Sequence, residues 1–180
     1  MKKRAMIDLE TLGTKPGCVI LEIGIVVNWN ARAEFPGVTL CFHSHLWLLR
    51  PEDQRDRHVD PDTVVWWTRH PRAMLRMIAR HRDIPRDEMH DARDEIFMLL
   101  RQADEIWANS PSFDCAILKE FIGCMPDGEP WKFTKERDFR TAAALRPDCP
   151  YKPPRDAHGA LADALEQARH LDRLGIWRAK

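Results

Sequence analysis

No charge of one sign dominates this 180-residue chain: Lys plus Arg number 28 and Asp plus Glu 28, a formal net charge of zero. That balance removes the simplest argument for a nucleic-acid binder and leaves only local basic patches to carry one. Also missing is any run near the roughly 18 apolar residues of a membrane helix. The basic opening MKKRAMIDLE has no apolar segment of signal length behind it. The expectation is a cytoplasmic protein with no membrane partner. Cysteine is sparse and unpatterned. Cys18, Cys41, Cys115, Cys124 and Cys149 are odd in number and form no C-x-x-C pair, which argues against a disulfide framework or a zinc cluster and for reduced thiols. No internal repeat or low-complexity tract interrupts the chain.

What is present is ordinary for a globular protein: 44% hydrophobic and 31% charged residues. The length suits one core, and residues 1–180 are read as a single domain. Within it, MIDLETLGT (6–14) puts two carboxylates two residues apart on an apolar strand. Side chains at i and i+2 of a strand share a face, so Met6, Asp8 and Glu10 line one side and Ile7 and Leu9 the other. Two adjacent buried acids repel each other unless a cation compensates them, and carboxylate oxygens suit hard ions such as Mg²⁺ or Mn²⁺. The same pattern also describes an edge strand with two solvated acids.

Further along, CVILEIGIVVN (18–28) reads as a central strand, 30–37 as a turn and LCFHSHLWLL (40–49) as a third strand completing a meander. His43 and His45 share a strand face, but no third ligand stands near them, so a structural role is expected. Asp60-Pro61-Asp62 is a helix start, and the helix carries Trp66 and Trp67. Positions about 100° apart point differently, so one ring is expected inward and the other less buried; the latter is a candidate stacking platform for a nucleobase, although core packing is the expectation for both. Arg69, Arg72, Arg76 and Arg80 recur at helical spacing; they suit a phosphate backbone, although a solvated helix face is the expectation. Pro71 opens that helix, Pro85 breaks it, and Met89, Ala92, Ile96, Leu99 and Leu100 mark another.

DEIWAN (104–109) is a short strand, followed by a Ser110-Pro111-Ser112 turn whose serine is expected to cap a helix with Asp114 in its first turn. A loop at 124–130, a short strand at 131–133, a helix over 138–145 and a proline-rich connector at 149–154 follow. The last helix is expected to open on Asp156, run through His158 and Asp163 to Leu174, and stop at Gly175. Its buried stripe is read as Leu161, Leu165 and Ala168, with Leu171 at the edge and Asp163, Glu166, Gln167 and His170 on the polar side.

An Asp-x-Glu strand, a distant Asp opening a helix and a late His-x-x-x-x-Asp together form an ordered pattern. The chain thereby resembles the DEDDh 3′-5′ exonucleases, which include the proofreading subunit of the replicative polymerase and RNase T. Asp8 and Glu10 match the first element, Asn109 to Asp114 the Asn-x-x-x-Phe-Asp block, and His158 and Asp163, in HGALADAL, the last. IDLETLGT, the Trp pair, WANSPSFD and the stretch from WKF to ERDFR look most like the phage-associated, exonuclease VIII-type branch. The resemblance implies an α/β, RNase H-like fold with a central mixed five-stranded sheet flanked by helices. It implies hydrolysis of phosphodiester bonds at the 3′ end of single-stranded DNA or RNA, releasing nucleoside 5′-monophosphates. Asp8, Glu10 and Asp163 would hold one divalent ion, Mg²⁺ or Mn²⁺. Asp8, with Asp114 through water, would hold a second, and His158 would be the general base. Thr11 and Leu12, at the Thr-x-Gly turn, would meet the 3′-terminal nucleotide, with Leu12 as a wedge under its base. Asn109, Phe113, Trp66 and Trp67 are further substrate-binding candidates, and a homodimer is compatible with the family. Two other readings stay open: a metal-dependent phosphoesterase of small nucleotides or short oligonucleotides, and a catalytically inactive nucleic-acid-binding scaffold.

Overall fold

The computed structural model describes residues 2–29, 42–83, 89–123, 128–155 and 157–177. The turn expected at 30–37, the start of the third strand at residue 40, the break at Pro85, the loop at 124–127, Asp156, Cys41 and Cys124 lie outside them. Strand β1 (Arg4–Thr11) is the middle strand of a five-stranded mixed sheet of order β3-β2-β1-β4-β5. It runs antiparallel to β2 (Ile20–Val27), which pairs antiparallel with β3 (His43–Leu48). On its other side it runs parallel to β4 (Glu105–Ala108), which is parallel to β5 (Glu136–Asp138). The expected meander and five-stranded sheet are therefore present, and the edge-strand alternative for Asp8 and Glu10 is not. The fifth strand falls at 136–138 rather than 131–133, where Trp131 packs into the core and a 3₁₀ turn over Phe133–Lys135 follows.

Six helices flank the sheet among the described residues: α1 (Pro61–Thr68), α2 (Pro71–Asp83), α3 (Met89–Leu100), α4 (Asp114–Ile122), α5 (Phe139–Ala144) and α6 (Ala160–Arg173). None is long and apolar enough to cross a membrane. The alternation of β1 decides the layers. Ala5, Ile7 and Leu9 join the larger core with Ile96 and Leu100 of α3 and Ile117, Leu118 and Phe121 of α4. Met6, on the opposite face, packs with Ala164, Ala168 and Leu171 of α6. Asp8 and Glu10 share the face of Met6, so the sheet's own pleat points both acids at α6.

Helix α6 lies almost on the sheet. Its buried face is Ala160, Ala164, Gln167, Ala168, His170 and Leu171, whereas Leu161 and Leu165 are only half-buried. The expected Leu161–Leu165 stripe is thus rotated, because alanines rather than leucines allow the close approach and because Gln167 and His170 are buried although polar. Gly24 of β2 permits the same approach: a Cβ there would collide with the Ala160 carbonyl group and the Leu161 nitrogen. Gly24→Ala is expected to cost at least about 2 kcal/mol in urea unfolding, since backbone cannot yield as a side-chain tip can. A change below about 0.5 kcal/mol would show that α6 has room to move.

Candidate active site

Asp8, Glu10, Asp114, His158 and Asp163 meet around one cavity of about 500 Å³. Each arrives from a different local device. Asp8 and Glu10 stand at the carboxyl end of β1 and are 9% and 7% exposed. Asp114 is the first residue of α4, 2% exposed, and its Oδ2 accepts from the Ser110 amide at 3.1 Å. The expected serine cap is absent: Ser110 Oγ and Ser112 Oγ bond to each other, and Asp114 itself ties the turn. Asp163 lies in the first turn of α6, where its Oδ2 accepts from the His158 amide at 2.7 Å and the Gly159 amide at 3.2 Å.

His158 is therefore not in the helix, which begins at Ala160 with Gly159 as N-cap. Among the described residues it is the one non-glycine with positive φ, 66°. A side chain in that left-handed region carries strain of about 1–3 kcal/mol, and here the Asp163 carboxylate holds the turn in place. The turn places the imidazole nearly perpendicular to the Trp66 ring, with centroids 4.9 Å apart.

Electrostatics mark the cluster. Burial raises the pKa of Asp8 well above the usual carboxylate range, with Asp114, Glu10 and Asp163 adding repulsion and Gln167 opposing them. Gln167 Nε2 donates to Asp8 Oδ1 at 3.0 Å. Burial likewise raises Glu10, reinforced by Asp163 and Glu22. Asp114 is pushed up to about 7 by burial despite accepting backbone amides, and burial raises Asp163 as well. Burial lowers His158 below the usual imidazole value although Asp163 opposes the shift, a direction that favours the uncharged, proton-accepting form of the ring. Asp8, Glu10 and Asp163 each offer an oxygen within 4.8 Å of the others. No basic side chain among the described residues forms a direct ion pair with them. Crowded, buried hard oxygens of this kind fit a divalent cation.

A second cavity, about 530 Å³, shares Leu9, Glu10 and Phe113 with the first and continues past Thr11, Gly13 and Asp60 to Trp66 and Trp67. Trp67 is 3% exposed and donates through Nε1 to the Thr11 carbonyl at 3.0 Å, whereas Trp66 is 37% exposed and stacks on His70. The pair divides as its spacing requires. Asn109 and Phe113 line the catalytic cavity, but Leu12 lines neither and instead packs beside Trp67, Val19 and Leu21. Of the histidine pair on β3, His45 stacks on Trp47, and neither residue joins a metal-ligating group among the described residues.

Glu22 and Arg80 are contributors that sequence reasoning did not single out for the site. Glu22 faces Glu10 across the β1–β2 ladder, 0% exposed. Arg80 holds it with two hydrogen bonds, Nε to Oε1 at 2.8 Å and NH2 to Oε2 at 3.0 Å. Glu22 also accepts the Ala160 amide at 3.3 Å, so one buried acid ties β2, α2 and the start of α6 together. The signal was a lone charge in an apolar strand, which needs a partner. Arg80 also shows that the arginine stripe is not simply a solvated face. Tyr151 and Arg140 line the cavity with no sequence signal to announce them.

The mixed five-stranded sheet with its flanking helices is an RNase H-like fold of the 3′-5′ exonuclease class. More particularly, the chain belongs to the Rv2179c-like family, described as the 3′-5′ exoribonuclease Rv2179c-like domain, whose signature matches residues 3–174. Its fold is similar to that of E. coli Exonuclease I, solved in complex with a 5cy-dA13 oligonucleotide, with a TM-score of 0.59 at 17% identity. The superposition covers 96% of this chain and 41% of that one, so this chain spans less than half the length of that protein. No curated protein matches it significantly in sequence.

Proposed function

We propose that this chain is a metal-dependent exonuclease that removes nucleoside 5′-monophosphates from the 3′ end of single-stranded nucleic acid, with RNA the first substrate to test. The convergence of Asp8, Glu10, Asp114, Asp163 and His158 on one cavity carries the reading. The family's description as an exoribonuclease favours RNA. Asp8, Glu10 and Asp163 would hold one divalent ion, and Asp8 and Asp114 would serve a second. Bound there, such ions polarise the scissile phosphoryl group and offset charge on the leaving oxygen. His158 would take the proton of the attacking water on an imidazole nitrogen, with Trp66 packed perpendicular beside the ring. The terminal nucleoside fits the second cavity, where Leu9, Phe113 and the exposed Trp66 give it an apolar wall and a stacking surface. Placement of the chain in the exonuclease VIII-type branch rests on IDLETLGT, the Trp pair, WANSPSFD and the stretch from WKF to ERDFR alone.

Digestion of 5′-labelled single-stranded RNA and DNA of equal sequence, with Mg²⁺ or Mn²⁺, tests the proposal. A ladder shortening from the 3′ end and absent with EDTA is the expected result; intact strands throughout would overturn it.

The raised carboxyl pKa values add a pH dependence. Near neutrality the cluster retains protons that a cation must displace, so metal affinity should fall as pH falls through about 7, the value reached by Asp114. Calorimetric titration with Mn²⁺ in buffers of different ionisation enthalpy should therefore record proton release at pH 6.5 that shrinks by pH 8.5. Equal release at both would contradict the protonated cluster.

A further inference from the structure

A third cavity, about 390 Å³, opens on the far side of His158 from the carboxylates. His158 and Ala157 line both it and the catalytic cavity, so the two share a wall. The rest of its lining is His70, Pro71, Arg72, Ala73, Arg76 and Arg155. Three arginines thus line one hollow, and no carboxylate lines it among the described residues. Such a concentration is notable in a chain of zero net charge. Arg76 braces the wall by donating to the Ala157 carbonyl at 3.3 Å. Arg72 and Arg155 are solvent-exposed at the rim. Pro71 begins the 13-residue helix α2 here, and the first turn of a helix presents amide N–H groups and the positive end of its dipole.

Guanidinium forks and helix-start amides are the groups that recognise phosphate oxygens, and His158 places them one wall away from the reacting phosphodiester. We propose that this cavity binds a phosphodiester of the substrate strand upstream of the scissile bond, making this an oligonucleotide site rather than a site for small nucleotide esters. The proposal rests on the exonuclease reading and adds to it the residues that would hold the strand upstream of the cut. It also gives a role to the arginine stripe of α2, of which Arg80 is engaged by Glu22 while Arg72 and Arg76 remain on the cavity.

The test compares wild type, Arg72→Ala, Arg155→Ala and the double variant on a single-stranded oligonucleotide and on the p-nitrophenyl ester of a nucleoside 5′-monophosphate, which carries one phosphate only. For the oligonucleotide, each substitution should raise KM about tenfold, with kcat little changed. The slope of log KM against log salt should become shallower by about one per arginine. Turnover of the small ester should stay at the wild-type rate, and Arg72→Lys should restore part of the loss. Equal losses on both substrates, or none on the oligonucleotide, would overturn the proposal. So would a matching rise in the inhibition constant of the released mononucleotide, because the cavity would then hold product. Wild type inert toward both substrates would instead sink the exonuclease reading. Anisotropy of a fluorescein-labelled strand without metal still decides the cavity in that case: affinity lower in the double variant supports it, and equal affinity overturns it.

Discussion

Asp8→Asn is expected to lower 3′-end hydrolysis by at least about a thousandfold while leaving a metal-free protein that is more stable than wild type. The first effect follows from removing the carboxylate that both proposed ion positions share, since metal stabilisation of a phosphoryl transition state is worth several kcal/mol. The second follows from repulsion. Asp8 is buried, its pKa is raised by burial first and then by Asp114, Glu10 and Asp163, and an amide of the same shape removes its share. A carboxyl whose folded pKa lies above its unfolded value near 3.9 binds more protons in the folded state. Stability from such a group is complete below the unfolded pKa and is lost as pH rises through the folded one. The advantage of Asp8→Asn should therefore grow from pH 5 to pH 8, reaching about 1 kcal/mol, or roughly 2–4 °C in Tm for a chain of this size. Mn²⁺ should raise the Tm of wild type and leave the variant unmoved. Wild-type activity in Asp8→Asn would remove the carboxylate from the mechanism. A variant less stable than wild type at pH 8 would show that Asp8 is compensated from within the protein.

The shared face of Asp8 and Glu10 was legible because strand spacing has consequences that tertiary context does not alter, whereas their grouping with Asp114, His158 and Asp163 was implied by the exonuclease resemblance and not by spacing. Positions 8 and 10 share a face in any strand, and an acid at the start of α4 lies in its first turn whatever packs against it. The helical assignment of His158 failed for a local reason: Asp163 reaches back to the amides of residues 158 and 159 and ends the helix at Gly159. From sequence, HGALADAL gives no sign of that break. The buried face of α6 was misplaced because hydrophobic spacing weighs leucine above alanine, whereas a helix lying against Gly24 selects small residues. The same geometry buries Gln167, whose polarity had placed it outside and whose amide holds Asp8. Tyr151 and Arg140 reach the cavity from a connector and a short helix, and no periodicity carries them there.

Arg80→Ala is the other large effect, and it separates charge compensation from packing. Glu22 is 1% exposed in its side chain and Arg80 26%, so the pair is buried at the acid's end only. Burial raises Glu22 even with the guanidinium beside it, the desolvation outweighing Arg80. Without Arg80, the carboxylate would face Glu10 across the ladder and retain only the Ala160 amide. Breaking one side of a buried pair costs about 3–5 kcal/mol. The lower end is expected here because Glu22 can protonate, and about 3 kcal/mol equals roughly two pKa units. The deficit should thus be smaller at pH 5.5 than at pH 8, where the acid must ionise or hold its proton against a higher pH. Glu22→Gln keeps an oxygen for the Ala160 amide and removes the charge. The double variant Glu22→Gln, Arg80→Ala should therefore unfold within about 1 kcal/mol of wild type, giving a coupling of about 2 kcal/mol or more in the cycle with the two single variants. Additivity within about 0.5 kcal/mol would mean that Arg80 supports the fold by packing beside Gly159 instead. Activity should follow the same pattern, lost in Arg80→Ala and largely regained in the double variant. What Arg80 protects is the placement of the α6 start, and with it the distance from Asp163 to Asp8 and Glu10.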